Sequence, residues 1–336
     1  MLVTASGSPG GARLVRSLRE NGERPIVVIG TDMNDRSSGR MLCDGFHVVP
    51  PGASDEFAPT LIELAAAEEI DVVFPSSSFE VAGVAGAADR FGCPVLVSSP
   101  ESIAACNDKS QTTALAERLG VPVPRSILAS SPDELRAAAA ELGYPEVAVC
   151  MKPTGLKGSR GFLVLAADPN RRWHILEARP GPLPLTLEEA LDALGTEEFP
   201  TLLVMEYLQG EEHTVDAICR DGRLVVGHPK TREAMRAGLA MFFQTVEDEQ
   251  LMAASRALVA GLGLDWFVNV QFLDGRLLEI NPRISTIVYQ EDFNMPLLAV
   301  LHAVGEIDEE QLAAAGSRVR TSRRAVRYYD QVEFDD

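Results

Sequence analysis

A chain of 336 residues has room for two or three domains with sizeable cores. It carries 49 acidic against 30 basic side chains, a formal charge of −19. That balance argues against nucleic acid and anionic membranes as partners, since both select basic surfaces. Five cysteines without a C-x-x-C pair support neither a disulfide framework nor a thiolate zinc site. No apolar run approaches the roughly 18 residues that span a bilayer. The opening Met1–Gly7 reads as a strand entering a glycine turn, not as a signal peptide, so a cytoplasmic protein is expected.

The first hundred residues alternate strands and helices. Leu2–Ala5 predicts a strand, Gly10–Glu20 a helix and Pro25–Gly30 the next strand. Asp55–Glu69 is amphipathic and leads into a strand at Ile70–Pro75; a helix near Glu80–Phe91 leads into Pro94–Ser98. This alternation predicts an α/β domain with a parallel sheet. The turn Gly7-Ser8-Pro9-Gly10-Gly11 stands where a dinucleotide fold carries its phosphate loop. It lacks the G-x-G-x-x-G spacing, and Pro9 removes a donor, so a tight turn is the better reading. Ser76-Ser77-Ser78 with Glu80 follows a strand end, where ligands of open sheets gather, but helix capping by a serine is favoured there.

A second section starts at Asn107-Asp108-Lys109, where either of the first two residues caps a helix to Leu119, ended by Gly120. Pro122 and Pro124 impose an extended linker, and Ser131-Pro132 starts another helix. Ala148–Lys152 predicts a strand. Gly155-Leu156-Lys157-Gly158-Ser159-Arg160-Gly161 follows, then the strand Phe162–Ala166. The glycines allow close approach of backbone to an anion, and Lys157 and Arg160 supply charge; a plain hairpin with a basic tip is the alternative. Residues 170–200 carry little pattern before a helix at Leu187–Leu194. Leu202–Leu208 is an apolar strand containing Glu206 and Tyr207, Thr214–Cys219 is the next, and Asp221-Gly222 hairpins it to Leu224–Val226. His228, Lys230, Arg232 and Arg236 concentrate positive charge in an acidic chain, as an anion site or as a solvated loop with snorkelling side chains. Asp248–Leu262 predicts a helix, and Asp274-Gly275 hairpins Asp265–Phe272 to Leu277–Ile280.

That last strand runs into Glu279-Ile280-Asn281-Pro282-Arg283. Period-two geometry puts Glu279, Asn281 and Arg283 on one face. A carboxylate and an amide oxygen two residues apart are hard ligands suited to Mg²⁺, and Arg283 adds a planar fork for phosphate or carboxylate. A solvated strand end is the bland alternative.

Taken in order, these pieces resemble the ATP-grasp superfamily, specifically carboxylate–amine ligases related to carbamoyl-phosphate synthase large-chain halves. The matching set is Asp108-Lys109, Met151-Lys152-Pro153 with Gly155–Gly161, Met205-Glu206-Tyr207-Leu208 with Glu212, Asn269-Val270-Gln271-Phe272, and Glu279–Arg283. The tail Arg324–Tyr329 resembles the family's closing strand. The resemblance implies a pre-ATP-grasp parallel α/β domain at 1–105, a central subdomain with a glycine-rich lid at 106–200, and a C-terminal subdomain with the metal site at 201–336, the last two forming a two-lobed α+β fold. It implies that Lys109 and Lys152 contact nucleotide phosphates and that Gly155, Lys157, Gly158, Ser159, Arg160 and Gly161 form the lid. Glu206, Tyr207 and Leu208 would be the adenine hinge and Glu212 the ribose ligand. Glu279, Asn281 and Gln271 would hold Mg²⁺, or Mn²⁺, and Arg283 would stabilise the transferred phosphoryl group.

The sequence departs from the family in two places. Thr286 and Ile287 follow Ser285 where many relatives have glycine, and Ala240-Met241-Phe242-Phe243 is unusually apolar. The 336 residues read as one unit of the fold, so carbamoyl-phosphate synthesis, which would need a second half and a glutaminase partner, is not the expected reaction. The resulting expectation is an ATP-dependent ligase that activates a carboxylate as an acyl-phosphate and joins it to an amine, expected to be an amino acid, in an amide or peptide bond. Arg232, with Lys230 and Arg236, would orient carboxylates, and Arg283 and Lys152 would serve the phosphoryl transfer. Its partners would be small molecules, with a homodimer allowed by the resemblance. The rivals are a silent ATP-binding regulator and a carboxylase-like or kinase-like enzyme with another acceptor.

Overall fold

The computed structural model describes residues 1–154, 161–177, 183–195, 199–235, 239–285, 289–328 and 330–333. The N-terminal section is the expected parallel sheet, with strands β1 (Leu2–Val3), β2 (Ile29–Asp32), β3 (Gly45–Val48) and β4 (Val73–Phe74) in the order β3-β2-β1-β4. Register fixes the second strand later than the sequence suggests, because Ile29 pairs with Leu2 and Asp32 with Val48. The strand expected at Pro94–Ser98 reduces to one parallel bridge between Val95 and Val73. Helices Gly11–Arg19 and Phe57–Ala67 follow the amphipathic stretches. The Gly7–Gly11 segment is the tight turn: Ser8 donates its N–H to Ala5 O at 2.9 Å and Gly11 to Ser8 O at 2.8 Å. A Cβ on Gly11 would come within 2.2 Å of the Ser6 carbonyl oxygen, so only glycine fits there.

The serine capping expected after Ser76–Ser78 is not what forms. The helix Val81–Ala85 has Glu80 at its N-cap position and no side-chain cap bond. The Glu80 carboxylate instead turns back and accepts from the Ser76 and Ser77 N–H groups at 3.0 and 2.9 Å and from the Thr4 hydroxyl. A carboxylate outbids a serine hydroxyl for two backbone donors because the charge-assisted bonds are stronger. Helix Lys109–Arg118 is capped by Asp108, which accepts from the Ser110 and Gln111 N–H groups at 2.9 and 3.2 Å.

Residues 122–210 form their own compact unit. Its antiparallel sheet runs β5 (Ser126–Ala129), β8 (Leu202–Glu206), β6 (Val149–Pro153), β7 (Leu163–Leu165). Helices Pro132–Glu141 and Leu187–Leu194 supply Leu135, Ala139, Leu187 and Leu191 to a core with Val149, Met151 and Val204. Ser131 caps the first helix, and Thr186 with Glu189 makes a reciprocal capping box on the second. A helix at Arg171–Leu176, capped by Asn170, occupies part of the stretch that carries little pattern.

The C-terminal section adds β9 (Glu212–Arg220), β10 (Arg223–Thr231), β11 (Phe242–Gln244), β12 (Trp266–Leu273), β13 (Arg276–Asn281), β14 (Tyr289–Gln290), β15 (Phe293–Asn294) and β16 (Arg324–Val326). An antiparallel sheet runs β10-β9-β12-β13, and the tail strand β16 pairs with β11. Both expected hairpins form, with φ of 50° and 71° at Asp221-Gly222 and 50° and 73° at Asp274-Gly275. Helix Glu249–Leu262 ends at Gly263, which is left-handed with φ 60°.

The sequence reading divides the chain at 105 and 200. Packing instead joins residues 1–121 and 211–336 into one compact unit. The physical reason is a shared core: Val3 and Phe74 from the parallel sheet sit in one apolar cluster with Ile218, Phe267 and Met295, and the Phe74 and Phe267 rings stack at 4.9 Å. Ser98 and Ser102 reinforce it by donating to the carbonyls of Asp265 and Leu262, each at 2.7 Å. All five cysteines are free, and no helix among the described residues is long and apolar enough to cross a membrane.

Candidate active site

Cross-strand register assembles a polar face on the β10-β9-β12-β13 sheet. Lys230 lies opposite Thr214, Thr214 opposite Gln271, and Gln271 opposite Glu279. One step along, His228, Asp216, Asn269 and Asn281 make a second row. Residues two apart on a strand share a face, so these eight side chains form one patch. The sequence reading anticipates Glu279, Asn281 and Gln271 in it, and the fold brings all three together.

Hydrogen bonds tie the patch laterally. Asn281 donates Nδ2 to Glu279 Oε1 at 2.9 Å, and Gln271 donates Nε2 to Asn269 Oδ1 at 2.9 Å. Asn269 donates Nδ2 to Asp216 Oδ1 at 2.7 Å and to Thr214 Oγ1, while the Thr214 hydroxyl donates to Val270 O at 3.0 Å. Lys230 is fully buried, ion-paired to Asp216, with its ammonium 4.9 Å from the Phe243 ring centre. Burial pushes its pKa down, opposed by Asp216. His228 is buried with neither ring nitrogen partnered, and burial lowers its pKa to about 4, so it is neutral at pH 7. The solvated-loop alternative for this basic tract therefore fails at His228 and Lys230, which lie inside a strand. Arg236 falls outside the described residues.

Arg232 pairs through Nε with Glu212 Oε1 at 3.1 Å. Burial raises the Glu212 pKa, Arg232 opposes that and the nearby Glu279 adds to it. Arg283 donates through Nε to Ser78 Oγ and through Nη1 to Ile284 O at 2.7 Å. Burial lowers its pKa, while Glu279 and Asp216 pull it back up. Three carboxylates (Glu212, Asp216, Glu279) thus meet three cations (Lys230, Arg232, Arg283). In a chain of charge −19 these cations offset much of the local carboxylate charge, to which Glu80 near Arg283 also adds. A divalent cation would make the patch attractive to phosphate.

The donor set suits a hard cation. Glu279 Oε2, Asn281 Oδ1 and Gln271 Oε1 accept nothing from the described residues, and one carboxylate with two amide oxygens is oxygen chemistry fit for Mg²⁺. Among the described residues no group of three or more His, Cys, Asp or Glu could hold a metal ion, so the oxygen donors here are one carboxylate and two amides.

The remaining expected residues divide between the units. Lys109 is half-buried at the first position of its helix in the unit carrying the polar face. In the other unit Lys152 sits on β6 opposite Leu203, on the sheet face away from the helices and their core. Glu206 ends β8: its N–H donates to Arg125 O at 3.0 Å, and its carboxylate accepts from the Arg125 N–H at 3.1 Å. Tyr207 and Leu208 then leave the sheet, Tyr207 being exposed. Of the lid, Gly155, Lys157, Gly158, Ser159 and Arg160 lie outside the described residues, while Gly161 is described with φ 71°.

A family model described as "ATP-grasp in the biosynthetic pathway with Ter operon" matches residues 198–325, which hold the whole polar face. Among solved structures, a phosphoribosylglycinamide synthetase from Anaerococcus prevotii matches with a TM-score of 0.64 at 16% identity, over 96% of this chain and 78% of that one. An N5-carboxyaminoimidazole ribonucleotide synthetase in complex with ADP matches at 0.60 and 16%, over 84% and 70%. A biotin carboxylase from Campylobacter jejuni, in an ATP-type nucleotide complex, matches at 0.59 and 19%, over 96% and 72%. The fold is that of the ATP-grasp superfamily.

Within this ATP-grasp fold, sequence reasoning missed Asp216, Asn269 and Thr214 beside the expected residues, and it set Ser78 and Glu80 aside as helix capping although it noted their place after a strand end. A usable signal existed for some of them. Thr214 and Asp216 alternate with apolar Val215 and Ala217 on β9, as Asn269 and Gln271 alternate with Val268 and Val270 on β12. Buried polar alternation of this kind marks a strand face that is committed to a network. Ser78 lies some two hundred residues from Arg283, and nothing local signals their hydrogen bond.

Proposed function

We propose that this chain is an ATP-dependent ligase that activates a carboxylate as an acyl-phosphate and condenses it with an amine, releasing ADP and phosphate. The observation that carries the reading is the polar face itself. Glu279, Asn281 and Gln271 offer three oxygens side by side, flanked by Arg283 and Arg232. Nucleotide binding alone needs no such set. The family description, with its reference to a biosynthetic pathway, supports a chemical role over a regulatory one.

In this reading Glu279, Asn281 and Gln271 hold Mg²⁺. When bound, the ion supplies Lewis-acid neutralisation of the nucleotide phosphates. Lys109 and Lys152 contact those phosphates, Glu206 to Leu208 meet the adenine, and Glu212 binds the ribose. The carboxylate substrate is oriented by Arg232. One of its oxygens attacks the γ-phosphorus, the bond to the bridging oxygen breaks, and ADP leaves with that electron pair. Arg283 offers its fork to the oxygens of the transferring group, where positioning and charge neutralisation matter most. The deprotonated amine then attacks the acyl carbon, and phosphate leaves as the amide forms. Arg283, held by Ser78 and the Ile284 carbonyl, has little freedom to lose on engaging a substrate.

ADP and phosphate release with Mg²⁺-ATP, screened over single and paired amino acids, small carboxylates and bicarbonate, tests the proposal. Release that requires a pair, with a condensed product by mass spectrometry, is expected. Release driven by bicarbonate alone would move the chain to carboxylase chemistry. Tight ATP binding without stimulated release across the panel would overturn the ligase reading in favour of a silent regulator.

A further inference from the structure

We infer that Asn269 is a positioning residue, the middle of a polar relay from Lys230 that decides which end of the Gln271 amide faces the cation. This rests on the proposed metal role of Gln271, Glu279 and Asn281. The logic follows from what each group is able to donate. Lys230 can only donate, and its buried ammonium is committed to Asp216. Asp216, as a carboxylate, can only accept. Asn269 must therefore turn its NH₂ toward Asp216, which it does at 2.7 Å.

Thr214 enforces the same choice independently. Its hydroxyl hydrogen is spent on the Val270 carbonyl at 3.0 Å, so it too can only accept from Asn269. With both amide hydrogens directed that way, the Asn269 oxygen faces Gln271. Gln271 answers with its NH₂ at 2.9 Å, and its oxygen is left on the cation side. An amide whose ends look alike in shape is thereby given a single useful orientation. The opposite orientation would present NH₂ to a cation, a repulsive contact. Gln271 can serve as a ligand in place of a carboxylate, which has an oxygen at either end, because Asn269 removes that ambiguity. Asn281 has a shorter version of the same device, spending its NH₂ on Glu279.

The test is Mn²⁺ binding to the full chain in the presence of ADP, read by electron paramagnetic resonance, with thermal unfolding in parallel. Glu279→Ala comes first. If ADP-dependent Mn²⁺ binding survives it, the metal reading itself falls and the relay with it. With that dependence in place, Asn269→Leu is expected to weaken Mn²⁺ about tenfold, the low end of the range for residues behind metal ligands. Gln271→Glu offers an oxygen whichever way it turns, so it should recover most of the loss in the Asn269→Leu background. Its benefit there is expected to exceed its benefit in the native background by about tenfold, a coupling that a merely structural Asn269 would not produce. The melting temperature should stay low in the double variant, since Asp216 and Thr214 still lack their donor. Equal effects of Gln271→Glu in the two backgrounds, or unchanged Mn²⁺ binding in Asn269→Leu, would overturn the inference while leaving the metal reading intact. Should Asn269→Leu fail to fold, Asn269→Ser carries the same cycle with less bulk.

Discussion

Acid should destabilise the unit that carries the polar face, through His228. The imidazole is fully enclosed, with Lys230 close by adding to the burial effect, and its pKa falls from 6.5 to about 4. In the unfolded chain it titrates near 6.5. Between those values the unfolded state holds the proton and the folded state does not, so stability rises with pH across the window and is lost on acidification. At about 1.4 kcal/mol per unit, the shift corresponds to about 3 kcal/mol lost between pH 7 and pH 4. His228→Leu removes the titration and also a ring whose two nitrogens find no partner. It should therefore match or exceed the native stability at pH 7, by up to about 2 kcal/mol, and show the larger advantage at pH 4. Glu80 and Glu212, both raised by burial, contribute with the opposite sign, since their stabilisation grows as they take up protons. They are common to both proteins and cancel in the difference. Urea unfolding from pH 4 to 7.5, followed by Trp266 fluorescence in a Trp173→Phe background, reads that difference in the right unit. A difference that stays flat from pH 7 to pH 4 would refute the reasoning.

Three further outcomes are expected. Asp216→Asn strands the buried Lys230 ammonium and should cost about 3–5 kcal/mol in urea unfolding, with Lys230→Met in the same chain recovering most of it. Lys152→Ala, on the face of its sheet away from the core, should raise the Kd for ATP by about tenfold or more with little change in Tm; an unchanged Kd would remove Lys152 from the nucleotide site. Arg232→Ala should raise the KM for the carboxylate by about tenfold and also weaken ATP, because Glu212, the proposed ribose ligand, loses its partner. An effect on neither substrate would place Arg232 outside the site.

Most elements were legible in the sequence because their signals are local. Two Asp-Gly turns, the Asp108 and Ser131 caps, the Gly263 stop and the Leu187–Leu194 periodicity depend on residues a few positions apart. Features set by distant neighbours were not. The edge strand Gly45–Val48 exists because β2 offers it a partner, and the Pro94–Ser98 stretch shrinks to one bridge because β4 is short. The division at 105 and 200 failed to foresee that Phe74 and Phe267 would share a core.

The polar face illustrates the boundary most sharply. Sequence alone determined that Glu279 and Asn281 share a side of their strand, since period two is a property of one strand. Counting outward from the Asp274-Gly275 turn, however, pairs Gln271 with Leu278 and sets Glu279 against Val270. The structure pairs Leu273 with Arg276 and Phe272 with Leu277, then shifts register so that Gln271 faces Glu279 and Asn269 faces Asn281. One bulged residue, Leu278, moves the proposed ligands onto the same row. A slip of a single residue exchanges the two faces of a strand. That shift is held by pairing and burial across the whole sheet, where Asp216, Asn269 and Lys230 are enclosed together. Which residues alternate is written in the chain; which of them meet is decided only when the strands pack.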